Sequence, residues 1–178
     1  MRTAVVLCVL VAACRKESEP RTDWSQTALD TTIESTVKDV PFTLSLPRSW
    51  KFSASHERKE VDPEQLTKEW RPDLKDFYDE PSVTVAYAGA PAKTLDAFVK
   101  ETLLDPTKDV IEKEARTADG YVIAYHTPGK GVVRVEMLKT KGDVSLYCRG
   151  SQARGGGVPS PLATLAWLEK VCDSLTLL

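Results

Sequence analysis

Two histidines, four cysteines and a crowd of carboxylates are the side chains of this 178-residue chain with chemistry to offer. A histidine beside a hydroxyl or thiol supports nucleophilic catalysis, and histidine with cysteine at close spacing supports a metal ion. Neither pattern is in the sequence. There is no Gly-x-Ser-x-Gly elbow, His56 falls in a charged stretch, His126 falls at a strand end, and neither lies at ligand spacing from a cysteine. Asp76, Asp79 and Glu80 cluster in a segment so rich in charge that they read as a solvated face, not as a paired acid and base. They also lack the Asp-x-Asp-x-Asp-Gly spacing of a calcium loop. Arg154-Gly155-Gly156-Gly157 precedes a helix but has no spaced second glycine followed by Lys-Ser/Thr, and it reads as a loose connection. Gly129-Lys130-Gly131 reads as a turn. No catalytic residue, metal or cofactor is expected, and the chain is not expected to be an enzyme.

Cys14 is the exception. Arg2 supplies a positive start, Ala4 to Ala13 an apolar run of about ten residues, and the polar string Arg15-Lys16-Glu17-Ser18-Glu19-Pro20 follows at once. The apolar run is far short of the roughly 20 residues that span a bilayer. Val11-Ala12-Ala13-Cys14 resembles the bacterial lipobox. That resemblance implies cleavage of a signal peptide over 1–13, a lipid on the Cys14 thiol and attachment to a membrane through it. Arg15 in place of aspartate implies sorting to the outer membrane, facing the periplasm, in a Gram-negative cell that follows the enterobacterial rule.

With Cys8 removed and Cys14 lipidated, Cys148 and Cys172 remain. In an exported compartment they most simply form one bridge, with two buried thiols or half a metal site as the alternatives. The bridge would close a loop of about 25 residues, worth on the order of 3 kcal/mol. The mature 165 residues suit one domain, expected over 30–178, behind a tether over 14–29. A net charge of −2 with no basic cluster leaves no electrostatic footprint for nucleic acid.

The elements that must position these groups follow from periodicity. Thr31–Val37 is β-prone, Lys38 to Pro41 turns, and Phe42, Leu44 and Leu46 alternate onto one strand face. Asp62-Pro63 has the form of a helix start, with Leu66 and Trp70 one turn apart. Trp70, Phe77 and Tyr78 sit among charges and are the candidate partner surface. Leu66, Trp70, Leu74 and Phe77 would form one apolar seam, either docked on the body, the favoured arrangement, or exposed for a partner. Ser82 to Ala88 reads as a strand, and Thr94 caps a helix with Leu95, Phe98, Val99, Thr102 and Leu103 on one face. Strands follow at Val110 to Thr117, Tyr121 to Thr127, Val132 to Lys139 and Val144 to Arg149. A helix opening at Pro161 carries Leu165, Leu168, Val171, Cys172 and Leu175 as a stripe. Both Cys148 and Cys172 thus fall on expected core faces.

The string Pro41-Phe42-Thr43-Leu44-Ser45-Leu46-Pro47-Arg48-Ser49-Trp50 resembles the opening of PsbP-like domains, which include the DcrB-like lipoproteins. The order of elements over about residues 30–178 is similar too. This resemblance implies an α+β fold, an antiparallel sheet flanked by helices in an α/β sandwich. It also implies a non-enzymatic module that binds a protein partner or assists assembly. The rival expectation is a small-ligand-binding or hydrolytic lipoprotein with a pocket between sheet and helices.

Overall fold

The computed structural model describes residues 22–53, 67–72, 80–103, 105–129, 131–153, 158 and 160–178. A single 3₁₀ turn at Trp24–Gln26 precedes β1 (Thr31–Val37) and β2 (Val40–Leu46). Then come β3 (Trp50–Ser53), β4 (Thr67–Pro72), β5 (Ser82–Tyr87) and α1 (Leu95–Thr102). The meander β6 (Val110–Arg116), β7 (Gly120–Thr127), β8 (Val132–Lys141) and β9 (Val144–Ala153) leads to α2 (Pro161–Asp173) and β10 (Thr176–Leu177).

The strands form two antiparallel sheets, one ordered β1-β2-β10 and one ordered β3-β4-β5-β9-β8-β7-β6. This corrects the expected fold class. Strand predominates over helix, and the molecule is a β-rich fold of two sheets, not an α+β sandwich flanked by helices. Two causes are physical. The β1–β2 hairpin leaves the large sheet altogether and takes β10 as its third strand. The segment expected as helix around Trp70 is instead a strand, because Trp70 pairs with Phe52 on one side and Val83 on the other.

Local chemistry sets the hairpins. Lys38 and Asp39 hold φ of 47° and 62°, so both central residues of the two-residue β1–β2 turn lie in the left-handed region that suits a twisted hairpin. The Lys38 ammonium rests 4.4 Å from the Tyr87 ring centre. At the β7 start a side chain at Gly120 would meet the Leu138 carbonyl oxygen at 1.9 Å, so only glycine lets the backbone close there.

The large sheet is covered on both faces. On one lie α2 and the small sheet, and the core between them includes Phe42, Leu44, Val85, Val135, Leu168 and Val171, all fully buried. Each such side chain contributes about 1.5–3 kcal/mol of transfer free energy. Cys148 on β9 and Cys172 on α2 form a disulfide there, with Cα atoms 5.5 Å apart, and tie the helix to the sheet. Trp50 meets Trp24 and Trp167 edge-on at 5.9 and 5.6 Å, and the Trp167 indole donates to the Thr27 carbonyl at 2.8 Å. The packed body therefore reaches back to Trp24, ahead of the start expected at residue 30.

On the other face α1 seats Phe98 against Tyr147 and Tyr121, over Ile123, Tyr125 and Leu138. The Thr94 hydroxyl accepts from the Ala97 amide at 3.2 Å and starts this helix as its sequence predicts.

Candidate binding sites

Beside α1 the large sheet carries a polar cluster built by strand alternation. Arg134 and Glu136 are two apart on β8, so they share a face. Arg134 lies opposite Tyr125 and Ser151, and Glu136 opposite Ile123 and Arg149. The Arg149 Nε donates to a Glu136 carboxylate oxygen at 2.5 Å. Glu136 is 2 % exposed at its side chain, whereas Arg149 is 51 % exposed and lies over it. Burial pushes the Glu136 carboxyl up from its ordinary range, while Arg149, and less strongly Arg134, pull it back. Burial also raises the Tyr125 phenol, whose hydroxyl donates to the Thr102 carbonyl at 2.9 Å and accepts from Arg134 at 3.4 Å. The Arg134 Nε is buried with no hydrogen-bond partner.

The second site lies on the opposite face. A cleft of about 340 Å³ opens where the β7–β8 turn approaches the start of α2, lined by His126, Pro128, Val132, Val133, Val158 and Pro161. The His126 Nδ1 sits 3.3 Å from a Glu112 oxygen but is not aligned to hydrogen-bond with it. The hydroxyls flanking His126 in sequence are committed elsewhere. Thr127 donates to Asp109 at 2.5 Å and Tyr125 to Thr102, and strand alternation turns both away from His126. What the cleft offers is a partly apolar space with one imidazole, a setting for binding a small molecule.

The residues singled out by sequence are dispersed. Cys148 and Cys172 are brought together as a bridge. Trp70 is 5 % exposed and packs edge-on against Phe42 at 6.1 Å, so its ring is held in the core and is not presented to a partner. Cys14, Phe77 and Tyr78 lie outside the described residues, as do His56, Asp76, Asp79 and the 154–157 glycine run. Of the acidic cluster, Glu80 accepts a hydrogen bond from the Trp24 indole. Among the described residues no group of three or more His, Cys, Asp or Glu is placed to hold a metal ion, and no helix is long and apolar enough to cross a membrane.

No family model matches the chain, and no curated protein matches it. Function has to be argued from its own residues.

The cluster around Glu136 was not singled out by sequence reasoning. Arg149 alternates with Cys148 and so falls on the face away from the core stripe, where an arginine reads as solvated. The usable signal was Glu136 itself, a carboxylate in the middle of the apolar run from Val132 to Leu138. A charge there requires a partner across the ladder.

Proposed function

We propose that the protein is a lipoprotein, anchored through Cys14 to the periplasmic side of the outer membrane, whose β-rich domain binds a protein partner without catalysing a reaction. The observation that carries the reading is Val11-Ala12-Ala13-Cys14, set between a short apolar run and a polar string. A disulfide between Cys148 and Cys172 is in keeping with an oxidising compartment. Because the body begins by Trp24, the chain between Cys14 and Trp24 bounds the reach from the membrane. About ten residues span at most roughly 35 Å. The domain works close to the lipid surface, and two or more acyl chains make its attachment durable.

A second reading, binding of a small ligand, is favoured by the cleft beside His126. It differs from the first in the size of what is bound and not in the anchor.

Two measurements in the native cells test the proposal. Replacing Cys14→Ser moves the protein from the membrane fraction to the soluble periplasmic fraction; retention of the variant on membranes contradicts the anchor. Crosslinking of the intact lipoprotein followed by mass spectrometry recovers a discrete protein partner. Recovery of the uncrosslinked chain alone, with a small molecule co-purifying, favours the cleft reading.

A further inference from the structure

The cluster on the α1 face has guanidinium donors that are incompletely used. Glu136 is matched by Arg149 through Nε. On β4, beyond β5, Glu69 is matched by Arg71. Arg134 makes no ion pair among the described residues. Its recorded bond is the long one to the Tyr125 hydroxyl, and its buried Nε has no acceptor. Among the described residues nothing engages Arg149 beyond Glu136, so the terminal nitrogens of its half-exposed guanidinium are available. A buried donor without a partner forfeits the hydration it had in the unfolded chain, and such donors in native proteins call for an acceptor from elsewhere.

The side chains toward β5 are short. Thr84 lies across from Arg149 on β5, and Ser151, across from Arg134, approaches Ser82 at 3.4 Å between hydroxyl oxygens. Short hydroxyl side chains thus flank the two arginines toward β5, while Tyr125 flanks Arg134 on β7. A planar guanidinium presents paired N–H donors that match the two oxygens of a carboxylate, a match that a lysine does not provide.

We propose that Arg134 and Arg149 together bind a carboxylate, gripped by their terminal guanidinium nitrogens above the buried Glu136. The carboxylate comes either from a small organic acid or from an acidic segment of a protein. The second source deepens the proposed partner-binding role and rests on it; the site itself does not depend on the anchor.

Titration of the full-length chain with glutarate and, separately, with a pentaglutamate peptide tests this, followed by calorimetry and by the arginine Nε–Hε resonances. Saturable binding is expected, weakened at least tenfold in Arg134→Gln and several-fold in Arg149→Lys, which keeps a cation beside Glu136. Arg116→Gln, whose guanidinium lies over Tyr121 elsewhere on the sheet, is expected to bind as the native chain does. If Arg134→Gln fails to fold, Arg134→Lys takes its place, with loss of several-fold affinity expected from the missing fork. A peptide at least tenfold tighter than glutarate assigns the site to a protein partner, and equal affinities assign it to a small acid. No saturable binding of either probe, equal affinity in the native chain and the Arg134 variant, or equal loss in Arg116→Gln overturns the proposal. Cys14→Ser is expected to leave carboxylate binding unchanged, so failure of the anchor and failure of this site are told apart.

Discussion

Glu136 is a carboxylate held in the middle of a sheet, and the pH dependence of stability reports on it directly. Its folded pKa is raised by burial, so the native state holds the proton more tightly than the unfolded chain does. Ionisation therefore removes stability as pH rises from the ordinary value of 4.5 through the raised folded value. In urea denaturation followed across that range, the native chain is expected to lose stability on this account, and Glu136→Gln to lack that loss. Asp105 acts with the opposite sign. Hydrogen bonds from Thr107 and Lys108 hold its carboxyl down to about 2, below the ordinary 3.8. Its contribution is present above pH 3.8 and is lost as pH falls toward 2. A native profile that falls on the acid side alone, with Glu136→Gln superimposed on it, would contradict the burial argument. Arg149→Gln is expected to cost more stability than Glu136→Gln, since it leaves a buried carboxylate without its cation.

At the scale of elements, the disulfide and the glycine at the β7 start make separate demands. Cys148–Cys172 closes a loop with a sequence separation of 24 between β9 and α2. Its reduction is expected to cost about 3 kcal/mol, read as a lower urea midpoint in the presence of reductant. An unchanged midpoint would mean that packing of Leu168 and Val171 holds the helix unaided. Gly120→Ala is expected to cost roughly 3 kcal/mol or more, because the obstructing atoms are backbone of β8 and cannot swing aside. Elements defined by local pattern were legible in sequence. The alternation of Phe42, Leu44 and Leu46, the Thr94 cap and the stripe on α2 all describe what a segment does by itself. β4 was not legible. Asp62-Pro63 and the four-residue step from Leu66 to Trp70 pointed to a helix, and pairing on both edges with β3 and β5 overrode that propensity. β10, only two residues long, has no pattern of its own and exists because β2 offers an edge.

For the whole molecule, what escaped the sequence was partnership between distant segments. Which strands share a sheet is decided by contacts such as β5 with β9 and β10 with β2, far apart in the chain, and no window of residues records them. The same holds for the carboxylate-binding proposal, since Arg134 and Arg149 lie on one face, diagonally across adjacent strands, only because β8 and β9 pair in one register. The N-terminus is the reverse case, where a run of local residues carries the functional reading and distance plays no part. Trp24 links the two scales. Its packing against Trp50 places Trp24 in the domain body, and so bounds the length of chain between the domain and Cys14. The central claim is that this cysteine becomes the first residue of the mature protein and carries lipid. The intact mass of the protein purified from its native membranes tests it most directly. The expected mass is that of residues 14–178 plus a diacylglyceryl group and, where the amino terminus is acylated, one further acyl chain. A mature protein that starts at any other residue, or that starts at Cys14 with no added lipid mass, would contradict it.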